Sequence, residues 1–231
     1  MRLNFTLLLL TGVISMAHAT TVTIGGATLT NQGQVTSVAG TTTVDFNSLP
    51  TGGPQTLIAG IATFSNLNIR AAGGTDIASD TSLFSDPFVG VGDETISFAQ
   101  PINYFGLYWG SPDPLNLITF FNGATAVFTF TGQQLHDQLG VAFGSGNAAF
   151  VNFTAGAGET YTRIVLSPNA SFPFENDNNA FRAATAAPEP ATFLCWAAGF
   201  VLIALARRAP SPRRVSASRQ GSLLPDSAPP L

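Results

Sequence analysis

"LNLITFFNGATAVFTFTG", residues 115–132, sets two apolar-alternating runs on either side of Asn122-Gly123. In the second run Ala126, Phe128 and Phe130 share one parity while Val127, Thr129 and Thr131 share the other, which is the period of two that a half-buried strand requires. Asn-Gly between two such runs is the strongest short-range signal for a hairpin closed by a type I′ turn. The stretch predicts two antiparallel neighbours.

The alternation recurs on both sides of it. "TVDFNSL" turns Val44 and Phe46 inward, and "TISFAQ" does the same with Ile96 and Phe98. "YTRIVLS" opposes Ile164 and Leu166 to Arg163 and Val165, so both of its faces are covered. No sustained helical period interrupts the pattern, and "QQLHDQLG", residues 133–140, reads as a loop. Short strands parted by turn signals, with no internal repeat, predict an all-β domain over residues 20–183. The expected architecture is an antiparallel two-sheet, jelly-roll-like sandwich.

Composition narrows the function. The chain has no lysine, and between Thr20 and Ala186 three arginines (Arg70, Arg163, Arg182) face eleven carboxylates, a net charge of −8. An acidic, lysine-free surface argues against nucleic acid as a partner. Cys195 is the single cysteine, so no internal disulfide exists, and in an apolar run it reads as a small hydrophobe. His136 is the sole histidine between the two ends, which excludes metal sites built on clustered histidine or cysteine.

Both ends read as addresses. "MRLNFTLLLLTGVISMAHA", residues 1–19, has Arg2, an apolar centre from Leu7 to Ile14, and Ala17 and Ala19 in an A-x-A arrangement. That is a secretory signal peptide for the Sec export machinery, cut after Ala19. Residues 191–206 carry no charge and are followed by Arg207 and Arg208, with Arg213, Arg214 and Arg219 beyond. At about 1.5 Å per residue a helix of this length falls a little short of the hydrocarbon core, a gap that arginine snorkelling reduces. The segment is expected to act as a stop-transfer transmembrane helix in the inner-membrane lipid. Arg207 and Arg208 would hold the basic, disordered tail 207–231 on the cytoplasmic side.

Residues 184–190 form the linker before this helix and contain Pro188-Glu189-Pro190. Pro-Glu-Pro, then Ala191-Thr192-Phe193, an apolar span and an arginine cluster resemble the PEP-CTERM protein-sorting signal of Gram-negative bacteria. The resemblance covers residues 187–208 and implies recognition by an exosortase, a membrane cysteine protease, with Pro188, Glu189 and Pro190 as the recognised residues. The prolines hold the peptide extended for a protease groove. Family members usually end soon after the arginines, whereas this chain continues to Leu231. "VDFNSLP", "NYFGLYWGSPDPLNLITFFNG" and "FPFENDNNAF" are also similar to a recurrent extracellular domain of PEP-CTERM surface proteins. That likeness implies no enzymatic activity, and a layout akin to carbohydrate-binding jelly rolls.

Several residues could carry chemistry. A Ser-His-Asp arrangement would need His136, which stands beside Asp137, but no G-x-S-x-G elbow occurs. Paired carboxylates, Asp93-Glu94 or Glu175 with Asp177, would suit a glycan hydrolase. "FENDNN", residues 174–179, offers hard oxygen ligands for a structural calcium at Glu175 and Asp177, with Asp113 and Asp45 as further ligands, or else a polar loop of Asx turns. Tyr104, Tyr108 and Trp109 could stack on the rings of an extracellular polysaccharide, or fill the core. The leading expectation is an exported, non-enzymatic surface or extracellular-matrix protein that passes from the inner membrane to the cell surface.

Overall fold

The hairpin forms, with its turn one residue later than the sequence indicates. Strand β9 (Leu117–Asn122) pairs with β10 (Thr125–Thr131), and Asn122 stands opposite Thr125, so the central pair is Gly123-Ala124. Gly123 has φ of 59° and Ala124 is not left-handed, which is the pattern of a type II′ turn rather than I′. The Gly123 amide donates to Thr162 Oγ1 at 2.8 Å, which ties the turn to the next strand. A bulge at Val127 shifts the register between Ala126 and Phe128. Ala126 is consequently exposed instead of inward, while Phe130 is buried.

The computed structural model describes residues 19–71, 80–88, 90–168, 172–185, 199–200 and 203. The leader through residue 18, Pro188, Glu189, Pro190, all of the expected membrane span 191–206 except 199, 200 and 203, Arg207, Arg208 and the tail lie outside the described residues. Among the described residues no helix is long and apolar enough to cross a membrane. The chain divides into two units, Met1–Ala186 and Ala187–Leu231.

The first unit is all-β. Its remaining strands are β1 (Thr21–Ile24), β2 (Ala27–Thr28), β3 (Gln34–Val35), β4 (Thr42–Val44), β5 (Gly52–Ala59), β6 (Ala62–Ala71), β7 (Leu83–Ser85), β8 (Glu94–Gly110), β11 (Ala148–Thr154), β12 (Tyr161–Ser167) and β13 (Asn176–Ala183). Where the sequence reading expects two sheets, hydrogen bonding joins eleven strands into one antiparallel sheet, with β2 and β3 as a separate pair.

The long strand β8 makes that connection. Its first half pairs Ile96 with Ile164 of β12 and with Phe64 of β6, whereas its second half pairs Leu107 with Val151 of β11 and Phe105 with Phe181 of β13. The change of neighbours falls around Pro101, whose ring nitrogen has no hydrogen to donate to a ladder. Side chains from both halves meet in one core, where Phe120 lies 4.7 Å from Tyr161 and 4.9 Å from Phe153 between ring centroids. The expected inward residues Val44, Phe46, Ile96, Phe98, Ile164 and Leu166 are all buried there.

A further expectation is corrected: "QQLHDQLG" is a helix closed by Gly140, not a loop. Helix α1 (Gly132–Leu139) begins on a capping box in which the Gln134 amide donates to Thr131 Oγ1 at 3.1 Å and the Thr131 amide donates to Gln134 Oε1 at 2.8 Å. Leu135 is buried under it, and Gly140 closes it in the left-handed conformation, donating to the His136 carbonyl at 2.9 Å.

Candidate functional site

Several of the residues singled out for chemistry lie on or beside β13 and are buried, whereas Asp113 and His136 lie elsewhere. Glu175, Asn176, Asp177, Asn178 and Asn179 are all buried, because β13 is flanked by β8 and β4 and touches β7. From Asn176 onward the segment is a strand, not the polar loop that its composition suggests. A shift in register between Asp177 and Ala180, with Asn178 left-handed at φ of 51°, lets consecutive polar side chains turn to different partners.

Those partners form a buried hydrogen-bond network in which Glu94 Oε1 and Asn179 Oδ1 accept no hydrogen bond from the described residues. Ser85 Oγ and Asn176 Nδ2 donate to Glu94 Oε2 at 2.7 and 3.1 Å, and Asn179 Nδ2 donates to Asn176 Oδ1 at 2.7 Å. Asn178 Nδ2 donates to the carbonyls of Gln32 and Gln34 at 2.7 and 3.2 Å, which fastens β3 to the sheet. Burial pushes Glu94 up to about 7, against the two hydrogen bonds that favour its charged form. Asp93, just before β8, is exposed whereas Glu94, its first residue, is fully buried, so the two carboxyls do not face one space as a catalytic pair.

A second acidic contact lies on the same strand. Ser82 Oγ touches Asp80 Oδ1 and lies 3.3 Å from Asp177 Oδ2. Burial, and then the neighbouring carboxylate of Asp80, raises Asp177 well above the usual carboxylate range, with a smaller contribution from Asp45. The structure thus brings Asp45 and Asp177 into one neighbourhood together with Asp80, which the sequence did not single out. Asp113 belongs elsewhere, at the turn before β9, where its amide donates to Asn116 Oδ1 at 3.0 Å. Among the described residues no group of three or more histidine, cysteine or carboxylate side chains is arranged to hold a metal ion.

The three aromatic residues are equally enclosed. Tyr104 is fully buried, donates to Asn152 Oδ1 at 2.6 Å, and lies 2.6 Å from Thr36 Oγ1. Tyr108 is buried, and desolvation followed by the charge of Asp80 pushes its phenol up to about 12. Trp109 stacks on Phe174 with centroids 4.5 Å apart and planes at 20°. Trp109 belongs to the main core, while Tyr104 and Tyr108, which share one parity, pack with Phe84, Phe150 and Ala180 in a second, smaller cluster.

His136 lies on the solvent face of α1, with Nδ1 2.9 Å from Asp137 Oδ1 and its ring stacked on Phe143. The exposed Asp137 carboxyl is held below its usual value chiefly by that hydrogen bond. An open groove of about 460 Å³ runs along Ile24, Gly25, Gln34 and residues 141–142 and 147–149, and none of its lining side chains titrates. No protein-family model matches the chain, and neither a curated protein nor a solved structure is found similar to it.

Proposed function

We propose that this chain is an exported, non-enzymatic surface or extracellular-matrix protein, delivered through the inner membrane and sorted by an exosortase acting at Pro188-Glu189-Pro190. The observation that carries the non-enzymatic part is the burial of three of the four carboxylates a hydrolase would use, Asp93 being the exposed one. Glu94, Glu175 and Asp177 are each at most 8% exposed and are engaged within the protein, so a polysaccharide could not reach them without unfolding β13. This weighs against the glycan-hydrolase alternative. The groove beside β1 is lined with apolar and amide groups, which suits weak contact with a neutral polymer better than catalysis.

The change of neighbours along β8 supports a jelly-roll-like sandwich in which this strand passes from one layer to the other. The sorting part rests on sequence order alone: Pro-Glu-Pro, an uncharged span, then Arg207 and Arg208. A Glu189→Ala variant tests it in a host that retains its exosortase, by intact mass and cell fractionation. Wild type should be shortened near Pro188 and leave the inner membrane, while the variant stays there with its C terminus intact. If wild type also keeps residues 191–231 and remains in the inner membrane, the sorting reading is wrong.

A further inference from the structure

We propose that the α-amino group released by cutting between Ala19 and Thr20 docks on Glu159, forming a salt bridge that exists only in the processed chain. The inference rests on the export reading above. Thr20 Oγ1 donates to Glu159 Oε2 at 2.9 Å and lies 2.6 Å from the Tyr161 hydroxyl. The nitrogen of the same threonine is three bonds from Oγ1, which brings the first atom of the processed chain within reach of this carboxylate. Glu159 is already held in place, because its Oε2 also accepts the Gly156 amide at 3.0 Å. Thr20 is likewise fixed by β1, which pairs Thr21 with Thr154.

Hydrolysis of the Ala19–Thr20 amide consumes one water and leaves a carboxylate on the leader and an ammonium on Thr20. A neutral amide is thereby replaced by a positive charge next to a half-buried negative one. Among the described residues the salt bridges are Arg70–Asp86 and His136–Asp137, and Glu159 belongs to neither. The titratable side chains that hydrogen bonding places against Thr20 are Glu159 and Tyr161, while Thr154 and Ala155 on β11 and its continuation do not titrate. The pairing raises the amine above its ordinary value of about 8. Its stabilisation is present below that pH and is lost as pH rises through the raised value.

The absence of lysine makes the test clean, since the α-amine is the one primary amine of the chain. Chains 20–231 and 19–231 are released from cleavable fusions in mild detergent, and the rate of acylation of the amine is followed against pH. The Thr20 chain should react about threefold or more slowly at pH 7, corresponding to a rise of half a pH unit or more. The rates should converge at pH 10. The isosteric Glu159→Gln should restore the rate at pH 7, which separates charge pairing from mere shielding. The Thr20 chain should also melt about 1–3 °C above the Ala19 chain, because a threefold change is worth about 0.7 kcal/mol.

If the Thr20 chain reacts like the Ala19 chain and like Glu159→Gln, the docking proposal fails. Intact mass of the exported protein tests the reading beneath it. A mature chain that does not begin at Thr20 removes the cleavage position and the processed-chain salt bridge with it, whatever the fusion chains show. A chain that does begin at Thr20 but whose amine behaves like the controls removes the salt bridge alone.

Discussion

Glu94 is fully buried with Ser85 and Asn176 donating to one of its oxygens, and burial holds its acid form up to about pH 7, against an ordinary value near 4.5. The folded state therefore keeps a proton between those values that the unfolded state gives up. The resulting stability is fully present below about pH 4.5 and is lost as pH rises through about 7, a swing of about 3 kcal/mol at most. Glu94→Gln preserves an oxygen for both donors and cannot ionise. Melting curves should show wild type losing stability between pH 5 and 8 more steeply than the variant, and equal slopes would refute the assignment. Asp177 changes in the same direction in both proteins, so the difference between the slopes isolates Glu94. The polar burial behind this was not legible in the sequence. Apolar positions such as Phe98 and Leu166 betray themselves by alternation, whereas Asn176 and Asn178 are buried because Glu94 and Gln32 wait for them, and those partners are far away along the chain.

Helix α1 shows why one element escaped notice. Its signals were present: Thr131 and Gln134 at capping-box spacing, Leu135 and Leu139 one turn apart, and Gly140 just past the end. Two turns offer too few positions for a period of 3.6 to stand out from the strand pattern around it. The hairpin before it was legible because Phe120, Phe128 and Phe130 alternate about a glycine. The choice between Asn122-Gly123 and Gly123-Ala124 as the central pair was not, because Thr162 on β12 helps to decide it. Since the capping threonine serves both β10 and α1, Thr131→Ala should cost about 1 kcal/mol and lower the melting temperature by about 2–4 °C. Calorimetry would measure the loss, and an unchanged melting temperature would mean that the helix does not depend on its box.

At the scale of the molecule, sequence reached the class of fold and stopped short of the order of the strands. Alternation reports which side of a strand is wet but says nothing of which strand lies beside it, and here the decisive fact is that β8 has four neighbours. This connectivity makes a graded prediction for amide exchange. The stretch Phe105–Leu107 is paired with β11 on one side and β13 on the other and lies in the core, so opening it should require nearly complete unfolding. Among the described residues strand β5 sits at the end of the sheet with β6 as its one partner, its register is broken around Gln55, and Ile58 is 74% exposed. Its amides can open while the core stays intact. Exchange measured by mass spectrometry or NMR should therefore be slowest in the second half of β8 and in the Val151–Phe153 stretch of β11. It should be at least about a hundredfold faster in β5, because a difference of roughly 3 kcal/mol in opening free energy gives that factor. If β5 exchanged as slowly as Leu107, the sheet would be opening as one unit, and β8 would not be the strand that holds it together.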